Sequence, residues 1–141
     1  MTKISGFFGN YRWLSNFWQC FVEYEGVIYP SSEHVFQAAK TLNHSERIKI
    51  ANFRTPNDAK KYSRTMTLRS DWEDVKLSEM AKIVTAKFQQ NTPLIEKLLN
   101  TGESELIEEN TWGDTFWGVC DGVGENHLGK ILMRVRGAFS R

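Results

Sequence analysis

Over residues 70–88, SDWEDVKLSEMAKIVTAKF, the apolar side chains of Trp72, Val75, Met80, Ile83, Val84 and Phe88 recur at helical spacing, a pattern that buries one face of a long helix. Ser70-Asp71-Trp72-Glu73 ahead of them has the form of a capping box, whose polar side chains satisfy orphan backbone donors. Such a helix needs a core to pack against. The 141-residue chain, 40% hydrophobic, is long enough to build one without disulfides or metal. Phe17 to Val22 and Val27 to Tyr29 are β-prone runs on either side of Glu25-Gly26 and predict a hairpin. Pro30 closes the second run, and Ser31 or Ser32 caps a helix predicted to reach about Asn43. Ser45 is read as the cap of a short helix through Phe53, and Thr55-Pro56 opens another with proline at its first position. Thr92-Pro93 begins a helix carrying Leu94, Ile95, Leu98 and Leu99, with Gly102 placed to end it. Glu103 to Glu108 and Phe116 to Cys120 read as strands around a turn at Asn110 to Asp114, and Asn126 caps a last helix that turns Leu128, Ile131, Leu132 and Val135 inward. Linkers, repeats and low-complexity segments are absent. The predicted class is α+β: a single compact, helix-rich domain over residues 1–141 with a few short antiparallel strands.

Composition excludes several roles. No apolar run approaches the roughly eighteen residues of a membrane span, and MTKISGFFGNYRW has no apolar h-region, so the expected location is cytoplasmic, with no membrane partner. Lys and Arg total 18 against 17 for Asp and Glu, a net charge of +1, without the basic excess of proteins that grip long nucleic acid. A nucleotide-sized ligand stays compatible with that balance. Cys20 and Cys120 read as small apolar residues in a reducing compartment. His34, His44 and His127 lack metal-ligand spacing with each other or with the cysteines, so neither a metal nor a cofactor is expected. Nothing in the sequence points to an obligate protein partner.

Three features could carry chemistry. Phe7, Phe8, Tyr11, Trp13, Phe17 and Trp18 crowd together with Gly6, Gly9, Ser15 and Asn16, and Trp112, Phe116 and Trp117 sit beside Gly113, Asp114 and Gly118. Aromatics mostly fill cores, but rings bundled with glycines and short polar residues also suit a stacked heterocycle. In SSEHVFQAAK, residues 31–40, Glu33 and Lys40 fall within about 20° of each other around a helix axis, with Gln37 between them, and about 10.5 Å apart along it. That is too far for an i,i+4 pair. Val35, Ala38, Ala39 and Leu42 take the opposite, core-facing side. The bland alternatives are that Glu33 complements the helix dipole and that Lys40 is solvated. In DGVGENHLGK, residues 121–130, Gly122, Gly124 and Gly129 precede or open a helix but form neither a G-x-G-x-x-G nor a P-loop pattern. Anion binding and a plain glycine-rich connection capped by Asn126 fit that segment equally.

Three blocks, FFGNYRWLSNF, YPSSEHVFQAAK and TWGDTFWGVCDGVGENHLGKILMRVR, taken in order, resemble the NADAR, or YbiA-like, N-glycosidase family, with the long helix between them. Together with that helix they cover nearly half of the chain, and Glu125 departs from the basic residue common before the asparagine. The resemblance implies cleavage of an N-glycosidic bond at a ribose-type sugar. It further implies a small phosphorylated substrate: a ribosylaminopyrimidine phosphate of riboflavin synthesis, or ADP-ribose attached to guanine, in nucleic acid as well. Breaking that bond develops positive charge on the sugar, which a fixed carboxylate stabilises; Glu33 takes that role, and its helix N-terminal position favours the ionised form. Lys40 is expected to trap the opened sugar as a Schiff base, which needs a lowered pKa. Asp114 is the second acid/base or a ribose contact. Phe8, Gly9, Ser15, Asn16, Phe17, Phe36 and Trp112 are expected to hold base and sugar, with Gly124, Asn126 and Gly129 shaping the phosphate end. A module that binds ADP-ribose without cleaving it is the alternative. A purely structural domain leaves the three blocks unexplained.

Overall fold

In chain order the elements are β1 (Lys3–Ser5), a 3-10 segment (Gly9–Leu14), β2 (Gln19–Tyr24), β3 (Val27–Ser31), α1 (Ser32–Ala39), α2 (His44–Ala51), α3 (Pro56–Ser63), α4 (Trp72–Gln90), α5 (Thr92–Asn100), β4 (Glu105–Ile107), β5 (Glu109–Asn110), β6 (Val119–Cys120) and α6 (His127–Phe139). The computed structural model describes residues 2–141. They form two compact units, one of residues 16–91 and one combining the residues up to 15 with 92–141. Helices dominate and the strands are short, which is the predicted α+β class. The strands are not all antiparallel, however. Only β2 and β3 pair that way, whereas β1 with β4 and β5 with β6 run parallel. A parallel pair needs a long return connection. That connection spans about a hundred positions for β1 and β4, whereas β5 and β6 run parallel with only residues 111–118 between them, and neither pair leaves a hairpin pattern in the sequence.

In the 16–91 unit the hairpin turns where predicted. Glu25 and Gly26 both take positive φ (49° and 86°), as a two-residue turn matched to strand twist requires. Gln90 clasps β2 from the end of α4: its Oε1 accepts from the Glu23 amide at 2.6 Å and its Nε2 donates to the Glu23 carbonyl at 3.0 Å. Helix α1 ends four residues before the predicted Asn43. Asn43 instead caps α2, accepting from the Glu46 amide at 3.0 Å, so the cap is Asn43 and not Ser45. Leu42 lies in the connection and is 69% exposed, against the expectation that it faces the core. Thr55 caps α3 as predicted, accepting from the Asp58 amide, with Pro56 at the first position. The predicted capping box at α4 does not form. The Asp71 carboxylate instead receives two bonds from the Arg69 guanidinium, at 2.7 and 3.1 Å. Trp72, Met80, Ile83, Val84 and Phe88 are nonetheless buried along α4, with Val75 at the margin.

In the other unit α6 packs on β4 and presents Leu128, Ile131, Leu132 and Val135 to the interior. Asn126 precedes α6 in a left-handed conformation and makes no side-chain cap bond. Its amide spans β4, Oδ1 accepting from the Glu108 amide and Nδ2 donating to the Leu106 carbonyl, each at 2.9 Å. Cys20 and Cys120 are free thiols at the margins of burial. Among the described residues no helix is long and apolar enough to cross a membrane.

His34 is fully buried in α1. Its Nε2 lies 2.9 Å from the Phe53 carbonyl and its Nδ1 2.6 Å from the Ser31 hydroxyl. A carbonyl only accepts, so Nε2 carries the proton and Nδ1 accepts, which is a complete set of bonds for the neutral ring. Burial pushes its pKa below the ordinary 6.5, with the bond to Phe53 opposing. Between the two values the unfolded chain binds more protons, so stability falls as pH drops below 6.5. Chemical denaturation of His34→Gln should show this acid sensitivity diminished, together with a loss of about 1–3 kcal/mol at neutral pH from disrupted buried bonds.

Candidate active site

All eight residues of α1 are buried, polar ones included. Asn16 anchors the first turn: its carbonyl accepts from the Glu33 amide at 2.9 Å, and its Oδ1 accepts from the Ser32 hydroxyl at 2.9 Å. The Asn16 Nδ2 leans on the Met80 sulfur of α4 at 3.5 Å. Glu33 is 8% exposed and Gln37 only 1%. Gln37 Nε2 donates to Glu33 Oε2 at 2.5 Å. A carboxylate only accepts, so this bond fixes which way the Gln37 amide points. The Glu33 carboxylate is thereby held in the first turn of a helix, where negative charge is favoured.

Lys40 caps the other end of α1, still in near-helical backbone geometry (φ −71°, ψ −14°), so the stripe from Glu33 through Gln37 persists. It is half-buried, with Nζ 5.0 Å from the centre of the Phe36 ring, and Phe36 in turn packs on Trp72 at 5.4 Å. The Arg69 amide holds the Lys40 carbonyl at 2.8 Å and the Arg69 guanidinium reaches the Ala39 carbonyl at 3.3 Å. Burial pushes the Lys40 amine below the usual lysine value, and the charges of Lys60 and Arg64 add to that push while Glu33 opposes it. The apolar setting expected from Phe36 is present. The cationic neighbours on α3 were not foreseen, although Lys60 and Arg64 stand i,i+4 in the sequence.

Other sequence-predicted residues have different surroundings. Asp114 organises a loop: its Oδ1 accepts from the Phe116 and Trp117 amides at 3.1 and 2.9 Å, and its own amide donates to Asn110 Oδ1 at 3.0 Å. Asn110, which carried no sequence signal, ties this loop further by donating to the Asp114 carbonyl at 2.8 Å. A Cβ at Gly124 would lie 2.1 Å from the Gly118 carbonyl oxygen, and one at Gly129 2.1 Å from that of Leu106. Both glycines are therefore accounted for by close backbone packing, as Asn126 is by its clasp on β4. In the same unit Trp112 is 65% exposed, Phe8 and Gly9 are exposed, and Ser15 is partly covered. In the 16–91 unit Phe17 is exposed, and Phe36 is buried against Trp72.

A buried carboxylate, an amide that orients it and an amine of lowered basicity on one helical stripe make a site for acid–base and nucleophilic chemistry. The chain belongs to the NADAR family: the NADAR domain model matches residues 6–140. It is 42% identical over 130 residues to a riboflavin biosynthesis protein of Vibrio vulnificus, covering 90% of this chain but 35% of that longer protein. It is 38% identical over 130 residues to the N-glycosidase YbiA of Escherichia coli, covering 90% of this chain and 81% of YbiA. The solved NMR structure of Escherichia coli YbiA superposes with a TM-score of 0.87 at 35% identity, covering 99% of this chain and 85% of YbiA.

The lowered basicity of Lys40 can be measured apart from any reaction. Between its folded pKa and the ordinary lysine value of 10.5 the unfolded chain holds more protons, so this group makes stability rise with pH across that window. The rise should be missing in Lys40→Met, as the difference between the two pH–stability curves; parallel curves would contradict the assignment.

Proposed function

We propose that the chain is a hydrolase of N-glycosyl compounds in which Glu33 and Lys40 act together on the anomeric carbon of a phosphorylated ribosyl substrate. The observation that carries this reading is the placing of a buried Glu33 and a half-buried Lys40 on the stripe that α1 begins and Lys40 ends, with the Lys40 amine beside Phe36 and its pKa lowered. Opening of the sugar ring leaves an imine between C1 and the departing amine. Neutral Lys40 Nζ adds to C1, and the nitrogen of the base takes a proton and leaves, so the original C–N bond breaks as a Schiff base to Lys40 forms. Water then adds to C1, the amine of Lys40 is released, and the free sugar departs; one water is consumed in all. Glu33 stabilises the positive charge at C1 and takes the proton from the attacking water. Gln37 keeps that carboxylate in position through its Nε2 bond.

The names of the relatives, a riboflavin biosynthesis protein and an N-glycosidase, support an N-glycoside as substrate, and the family resemblance narrows it first to a ribosylaminopyrimidine phosphate. ADP-ribose on guanine is the second substrate consistent with the family resemblance. The family match across residues 6–140 also supports reading the chain as one NADAR domain. A binder that does not cleave would use the same residues, but recognition alone does not require a lysine held at lowered basicity.

Offering the purified protein ribosylaminopyrimidine phosphate, ADP-ribosylated guanosine and NAD, and following release of base or sugar, tests the reaction. Glu33→Gln should lower kcat by about a hundredfold or more, the scale of losing a fixed charge stabiliser, with the fold intact. Lys40→Ala should do likewise, and borohydride should trap a substrate adduct on the wild-type protein but not on this variant. Full turnover by Lys40→Arg would exclude the Schiff base, and tight binding of an unchanged ligand after long incubation would favour the non-cleaving module.

A further inference from the structure

Helix α3 packs against α1 through the fully buried Ala59. On α3, Lys60 and Arg64 stand i,i+4, about 40° apart around the axis and about 6 Å along it, Lys60 half-buried and Arg64 exposed. Both lie near enough to Lys40 for their charges to act on its amine, and Glu33 is the one acid that acts on it there. Arg47, Arg69, Lys76 and Lys82 each have a carboxylate within ion-pair distance. Among the described residues Lys40, Lys60 and Arg64 have none. Two cations gathered beside a partly buried amine repel each other and any charge on that amine, so an anion arriving there is attracted by both, whichever form the amine takes. The segment where an anion was expected offers less, since Asn126 is committed to β4 and Gly124 and Gly129 to close backbone packing.

We propose that Lys60 and Arg64 bind the phosphate carried on C5 of the ribosyl substrate, so that α3 holds the phosphate while α1 holds the anomeric carbon. This rests on the hydrolytic reading for the identity of the sugar, and on the arrangement of α1 and α3 for the place of the phosphate. A guanidinium and an ammonium on successive turns suit a tetrahedral anion, one as a planar fork and one as a point charge. Both sources of the phosphate share this chemistry, a terminal monoester in a ribosylaminopyrimidine phosphate and a bridging diphosphate in ADP-ribose. A bound phosphate offsets part of the cationic push on Lys40 but leaves burial, the larger cause of its lowered basicity, in place.

Calorimetry with ribose, ribose 5-phosphate and ADP-ribose tests this without turnover. The wild-type protein should prefer ribose 5-phosphate to ribose by about tenfold or more, and the double variant Lys60→Gln, Arg64→Gln should lose that preference. The exchange Lys60→Arg with Arg64→Lys, which keeps both charges, should retain most of it. The tighter of ribose 5-phosphate and ADP-ribose identifies the monoester or the diphosphate as the natural group. Equal binding of ribose and ribose 5-phosphate by the wild type, or an undiminished preference in the double variant with an unchanged melting curve, would overturn the proposal. Absence of cleavage in the assays of the previous section would remove the hydrolytic reading and leave this binding result readable.

Discussion

A polar stripe enclosed on a buried helix is the constraint on which the 16–91 unit turns. Glu33, His34 and Gln37 all sit on α1 with almost no exposure. Burying such groups unpaired costs several kcal/mol in total on the scale of about 1–3 kcal/mol each, and the surroundings satisfy nearly all of them, the buried Gln37 Oε1 alone among these three side chains lacking a partner. His34 uses both nitrogens between Ser31 and Phe53, Ser32 is tied to Asn16, and Gln37 answers Glu33. Most of these partners lie on loops or strand ends, whose positions are set by α1 as much as they set it.

Much of this was legible in the sequence because it is written in local patterns. The spacing of Trp72, Met80, Ile83, Val84 and Phe88 identified α4, Thr55-Pro56 identified the start of α3, and Glu25-Gly26 the hairpin turn. The separation of Glu33 from Lys40 along one stripe marked both as unusual, and in the structure Glu33 is buried and Lys40 half-buried. What escaped depends on partners distant in the chain. β1 pairs with β4 across a hundred positions, the Asp71 side chain is taken by Arg69 rather than by the helix it precedes, and Lys60 and Arg64 carry no signal of their own until α3 packs against α1. Asn126 shows the same limit. Its position before a helix suggested a cap, but a left-handed backbone turned its amide to β4.

The glycines of residues 118–129 carry a related lesson. In sequence they resemble a phosphate cradle, because glycine is what any close approach to a backbone requires. Here the approaching group is the protein's own carbonyl, that of Gly118 against Gly124 and that of Leu106 against Gly129. Close packing of backbone on backbone and of backbone on ligand leave the same residue behind, and only coordinates separate them.

The clasp of Arg69 on the end of α1 bears on the reactivity of Lys40. The carboxyl end of a helix carries partial negative charge, which holds a proton on any amine placed there. Arg69 sets its amide on the carbonyl of Lys40 and its guanidinium on that of Ala39, so the exposed oxygens that would create this potential already face donors. The helix terminus is electrically muted beside this amine, so Arg69, which has no part in the proposed reaction, weakens a field that would otherwise hold the proton on Lys40.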